Sequence, residues 1–315
     1  MTKTGGSSAA RQDLRRRHGL SKLEQGYMGF ILVLPWLIGF CIFKLYPFVS
    51  SLIYSFTDYD LFKGVQNVVG FQNYIDAFTK SKNIKALQVT FTYAFMTVPL
   101  KLIFALFIAY ILNFRIKGVG LFRTAYYVPS ILGGSVAIAV LWKALFKNDG
   151  VVNTILAMLG FESINFLADK QWALFIICLL RVWQFGSAMV LFLAALKGVP
   201  EDLYEAASID GATRGRQFMS ITIPLISPVI FYNLVTQLVQ AFQEFNGPYI
   251  ITNGGPRNAT TLISLIVYNT AFKDYKVGMS SAMAWVMFVI VMVLTIIAFV
   301  SQKKWVYYSD DDGRG

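Results

Sequence analysis

Ala282–Ser301 runs for 20 residues without a charged side chain, and five more apolar runs of comparable length precede it: Tyr27–Phe56, Leu87–Leu112, Leu121–Phe146, Trp172–Leu196 and Ile221–Phe245. Each approaches the roughly 20 residues that a helix needs to cross a bilayer. A span in lipid must satisfy its own backbone hydrogen bonds, so runs of this length read as helices. Composition agrees: 56% of the 315 residues are hydrophobic and only 14% are charged, against about a quarter charged in soluble domains. The expected fold class is all-α integral membrane, with six transmembrane helices and both termini on one side. Residues 1–26 read as a basic tail, 27–305 as the membrane domain and 306–315 as a second tail. The first run is too long for the hydrophobic stretch of a signal peptide. Lys44 and Pro47 are expected to interrupt it.

Lys and Arg counts give the orientation. Fifteen fall in the N-terminal tail, the 113–123 and 197–216 loops and the C-terminal tail, and nine in the segments 57–85, 147–171 and 246–280. Cationic loops stay inside, so both termini and the segment 197–224 are expected in the cytoplasm. The net charge of +11 is explained by this placement at the ends of apolar runs, and no nucleic acid is expected as a partner. Cys41 and Cys178 lie inside apolar runs, where cysteine behaves as a small hydrophobe. The only histidine, His18, sits in the basic tail. Metal clusters and histidine-based nucleophilic chemistry are thereby excluded, and the G-x-x-x-x-G-K-[ST] phosphate loop is absent. No catalytic residue, cofactor or metal is expected in this chain.

The longest polar insert between apolar runs is EAASIDGATRGRQFMSITIP, Glu205–Pro224. Pro200, Glu201 and Asp202 suit a helix N-terminus. Asp210-Gly211 is a turn signal. Thr213–Ile221 predicts a second short helix, and Pro224 marks entry into the fifth span. A helix–turn–helix across the membrane surface can lie against lipid or dock a protein partner, and local physics leaves both open.

The spacing of this insert resembles the EAA loop of ABC importer permeases. Glu205-Ala206-Ala207, three residues, Gly211, nine residues, then Ile221-Thr222-Ile223-Pro224 departs from that pattern only in Ile223 for leucine. The run Leu196–Ala212 is similar to the sugar-transport branch of these permeases. So are GFQNY (Gly70–Tyr74) and TNGGP (Thr252–Pro256), and the ending QKKWVYY resembles the first of two non-identical permeases in such systems. The resemblance covers roughly 25–305. It implies a permease of the bacterial inner membrane that passes a sugar or oligosaccharide from an extracytoplasmic solute-binding protein. It also implies a second homologous permease and two ATP-binding subunits, a homodimer, holding ATP and Mg. The loop would be the coupling element, with Glu205, Ala206, Ala207, Asp210, Gly211, Ile221 and Pro224 at the contact and Glu205 making a charged contact.

Polar residues inside spans are costly and usually face the bundle interior. Asn233, Gln237, Gln240 and Glu244 share one helical face, and Arg181 and Gln184 sit three apart in the fourth span. With Phe242 and Tyr249 they form a candidate substrate path, although interhelical hydrogen bonding explains such residues equally. In some relatives of this family only one of the two permeases holds the sugar. An ion-coupled secondary transporter is the alternative. Such folds use intramembrane acids and internal repeats, whereas Glu244 is the only acid within the six runs.

Overall fold

The structure, a computed structural model, describes residues 30–65, 67–114 and 118–308. The expected tail 1–26 and all of the expected tail 306–315 except its first three residues lie outside the described residues. The chain divides into two units, 1–54 and 55–315. The described part of the first is helix α1 (Phe30–Ser55) up to Tyr54. Its apolar side chains are exposed on all sides, which suits a helix solvated by an apolar medium. Lys44 and Pro47 do not interrupt it. Cys41–Leu45 forms one wide π turn instead, with the Tyr46 N–H reaching the Cys41 carbonyl. A π turn at this point accommodates a proline that cannot donate to the preceding turn.

The second unit follows in order as α2 (Gln72–Thr79), α3 (Ser81–Asn113), α4 (Val119–Leu132), α5 (Val136–Leu145), α6 (Val151–Met158), α7 (Lys170–Trp183) and α8 (Gly186–Lys197). Then come α9 (Glu201–Ile209), α10 (Arg214–Phe242), α11 (Ile263–Phe272) and α12 (Val277–Gln302). Four helices (α1, α3, α10, α12) are singly long and apolar enough to cross a membrane, and six spans result if each bent pair, α4/α5 and α7/α8, counts as one.

The third and fourth runs are therefore not continuous helices. The chain bends by 103° between α4 and α5 and by 43° between α7 and α8. Gly133-Gly134 carries no side chain to hold the helix, and the Ser135 hydroxyl accepts the Ala137 N–H to start α5 afresh. The fifth span differs the other way. It begins at Arg214, the predicted separate helix being its first turns, joined through a π turn at Phe218–Thr222. Pro224 sits within this continuous helix just after the π turn, which accommodates a proline that cannot donate to the preceding turn. The residues Gly254–Pro256 stay non-helical, as the turn chemistry predicts, while α11 arises downstream of them.

The core lies among α3, α8 and α10. Ala94, Ala105 and Ala109 of α3 meet Ala188, Met189 and Phe192 of α8. Small residues let membrane helices approach closely where lipid offers no hydrophobic drive for association. A second cluster joins α2, α3, α11 and α12 through Ala77, Ala86, Ile263, Ile266 and Met283. The outward faces of α3 and α12 carry exposed Phe95, Phe104, Ile296 and Val300, large apolar surface of the kind a bilayer covers.

Candidate functional site

The loop between the fourth and fifth spans is a built element. Glu201 and Asp202 lie in the first turn of α9, where the helix dipole favours negative charge. The helix ends at Asp210, and Gly211 takes the left-handed conformation with φ +73°, open mainly to glycine. The Ala212 N–H then closes the end on the Ala207 carbonyl at 2.9 Å. Thr213 restarts the chain by capping the Arg216 N–H.

No residue of α9 is buried, and Ile209 is 87% exposed. Yet α9 is pinned to the start of α10 at two places. The Tyr204 hydroxyl lies 2.7 Å from the Thr222 hydroxyl, and the Gln217 amide donates to the Ser208 hydroxyl at 2.9 Å. Glu205, Ala206, Asp210 and Gly211 face outward, Ala207 is half-buried, and Ile221 packs against the main core. Pro224 is half-buried on α10.

The intramembrane polar residues gather around the helix breaks. Arg181, in the last turn of α7, donates to the side-chain amide oxygen of Gln184 at 3.2 Å and to that of Gln240 at 2.5 Å. It also stands 3.8 Å from the Glu244 carboxylate. A cation is favoured at this end of a helix. The Gln184 amide donates to the Gly133 carbonyl at 3.0 Å and its own backbone carbonyl accepts from the Ser130 hydroxyl at 3.0 Å. The Asn246 amide reaches the Gly134 carbonyl at 3.2 Å. Glu244 accepts from the Gly247 N–H at 3.1 Å, and the Ser264 hydroxyl donates to its backbone carbonyl. The breaks in the third and fourth spans thus meet the end of the fifth at one node, and the carbonyls freed by the Gly133-Gly134 break are satisfied by Gln184 and Asn246.

The remaining candidates part company. Gln237 accepts from Lys101 at 2.8 Å. Asn233 donates to the Val229 carbonyl of its own helix at 3.1 Å. Phe242 is 1% exposed and packs edge-on to Phe91 at 5.3 Å, in the core rather than at the node. Tyr249 stacks on Phe245 at 5.0 Å, with Tyr268 beside it and the Lys273 ammonium 5.4 Å above its ring. Sequence reasoning missed the partner roles of Lys101, Tyr204 and Asn246. Lys101 carried a signal, being the lone cation of the second apolar run; the other two carried none.

Residues 75–305 match the family described as "Binding-protein-dependent transport system inner membrane component". The chain is 46% identical over 288 residues to the probable ABC transporter permease protein YesP of Bacillus subtilis (strain 168), covering 90% of this chain and 93% of that one. It is 34% identical over 279 residues to the trehalose/maltose transport system permease protein MalF of Thermococcus litoralis, covering 88% and 94%. Its fold resembles a chain in the crystal structure of a bacterial ABC transporter involved in the import of the acidic polysaccharide alginate, with a TM-score of 0.79, 23% identity and coverage of 91% and 99%. With this family match, these relatives and the described spans together, the chain belongs to the inner-membrane components of binding-protein-dependent transport systems and is a multi-pass permease subunit of the ABC importer class.

Proposed function

We propose that this permease moves a sugar or oligosaccharide, received from an extracytoplasmic solute-binding protein, into the cytoplasm. Two ATP-binding subunits, a homodimer holding the ATP and Mg, dock on its cytoplasmic face, and a second homologous permease completes the path. The chain itself is not an enzyme. The observation that carries this reading is α9, which stands outside the buried core yet is tied by Tyr204–Thr222 and Ser208–Gln217 to the helix of the fifth span. A force applied to such an element moves a span as a rigid body, whereas a loose loop would absorb it. Glu205, Ala206, Ala207, Asp210 and Gly211 form the docking face, with Ile221 and Pro224 behind it.

The sugar reading is supported by the trehalose/maltose permease among the relatives. The path runs through Arg181, Gln184, Gln237, Gln240 and Glu244, whose amides and charges suit hydroxyl groups; Asn233, Phe242 and Tyr249 flank it. Replacing Gln237, Gln240 and Glu244 together by Leu abolishes uptake on this reading, and normal transport by a normally assembled variant would remove the path from these residues.

Co-purification tests the assembly. The ATPase subunits and a second permease are expected to come down with this chain, and Glu205→Lys to release the ATPase or to end transport-coupled ATP hydrolysis. If the chain instead purifies alone and transports in an ion gradient, the ion-coupled secondary transporter takes the place of the ABC reading.

A further inference from the structure

Tyr93, Thr97 and Lys101 recur every fourth residue on α3, so they share one face of that helix. All three are buried, at 0%, 1% and 3% exposure. The Tyr93 and Thr97 hydroxyls make no hydrogen bond of good geometry among the described residues; their nearest polar neighbours are each other and, for Thr97, the Cys178 thiol. Buried polar groups are nearly always satisfied, and leaving one unsatisfied costs roughly 1–3 kcal/mol. Two on one face of one helix, next to a third polar residue, call for a reason.

Their surroundings supply it. Lys101 reaches Gln237 of α10 at one end of the stripe. Tyr93, at the other end, lines a cavity of about 10 Å³ together with Ser135, Arg181, Gln184, Glu244 and Asn246. The stripe spans about 12 Å along its helix at 1.5 Å per residue. Gln237 to Glu244 spans about 10 Å on the same rule, so the two stripes run side by side over nearly the same length. The cavity has room for a single water at most. Its walls are the interrupted backbones of the third and fourth spans, and non-helical backbone at membrane depth is tolerated where it lines a cavity.

We propose that Tyr93, Thr97 and Lys101 form the wall of the translocation path opposite the fifth span, with the Tyr93 hydroxyl hydrogen-bonding a sugar hydroxyl when the node opens. The closed cavity is the collapsed form of that site, and the Tyr93 hydroxyl, which gains no well-formed bond in the closed form, is the group that substrate satisfies. This rests on the reading of Arg181, Gln240 and Glu244 as path residues.

The test uses the full assembly of both permeases, the ATPase subunits and the binding protein in proteoliposomes. Tyr93→Cys and, separately, the near-isosteric Thr97→Cys are made with Cys41→Ser and Cys178→Ala, and treated with 2-aminoethyl methanethiosulfonate. Labelling of this chain is read by peptide mass spectrometry, nucleotide-free and vanadate-trapped. Labelling at either position at least tenfold faster in one state than in the other is expected. No labelling in either state at either position overturns the inference. Gln240→Cys in the same background separates the two readings. If it labels while residues 93 and 97 do not, the path stands without this wall; if none labels, both readings fail. Tyr93→Phe, assayed with radiolabelled maltose, is expected to raise KM about three- to tenfold with kcat little changed, and an unchanged KM for a transported sugar removes the hydroxyl from recognition.

Discussion

Lys101 on α3 donates its ammonium to the side-chain carbonyl oxygen of Gln237 on α10 at 2.8 Å, joining positions 136 residues apart inside the bundle. The two partners are not equivalent. Lys101→Met leaves a neutral amide without its donor, whereas Gln237→Leu leaves a cation buried without its acceptor, which is the costlier defect. Gln237→Leu is therefore expected to lower the thermal stability of the solubilised assembly more than Lys101→Met, by roughly 1–3 kcal/mol in excess. The double variant should recover part of the loss, because neither orphan then remains. Equal effects of the two single variants would remove this bond from the stability of the bundle.

The Tyr204–Thr222 contact predicts an uncoupled transporter. Tyr204→Phe and Thr222→Val each remove one hydroxyl of the 2.7 Å pair without touching the outward face of α9. ATPase subunits are expected to remain bound and to hydrolyse ATP, while sugar uptake per ATP falls several-fold. The double variant should be no worse than either single one, since both delete the same bond. Additive losses would show that the hydroxyls act separately.

Much of this architecture is legible because it is local. Six apolar runs and one polar insert follow from hydropathy, and Asp210-Gly211 announces its own turn. The bends are not local. Gly133-Gly134 sits in a run that passes every test of apolarity, and its carbonyls are claimed by Gln184 and Asn246 from distant parts of the chain. The spacing of Gln237, Gln240 and Glu244 places them on one face. That Gln240 and Glu244 share Arg181, while Phe242 turns to Phe91, is settled only by which helices neighbour α10. The second short helix of the loop is not legible as the beginning of the fifth span, because Pro224 reads as the start of a new helix whereas a π turn carries the chain through it.

Gly211 holds the left-handed turn between α9 and α10 at φ +73°, with nothing within 4 Å of where a side chain would begin. Space does not forbid a substitution; backbone conformation does. Gly211→Ala is expected to cost about 1–2 kcal/mol and to weaken ATPase co-purification. Gly211→Asn should cost less, since asparagine visits this region more readily. If Ala and Asn behave alike, the turn is not what positions α9.

Gly186 and Gly133 make contrasting predictions at the two bends. A Cβ on Gly186 would come within 2.8 Å of the Tyr127 Cα, a backbone atom of α4. Backbone cannot rotate away, so α4 and α8 must part, and overpacking of this kind costs about 1–3 kcal/mol or more. Gly186→Ala is expected to lower the stability of the assembly, and truncating a neighbouring side chain should not restore it. A Cβ on Gly133 would meet the Gln184 side chain instead, 2.5 Å from its Cδ. Gly133→Ala should therefore displace the Gln184 amide from the Gly133 carbonyl and disturb Arg181, lowering uptake more than stability. Adding Gln184→Ala removes the clash. It should restore the stability of Gly133→Ala without restoring uptake, because the bond from Arg181 to Gln184 is lost either way. Recovery of full uptake in that double variant would show that the node tolerates the loss of Gln184 and that Arg181 is held by Gln240 and Glu244 alone.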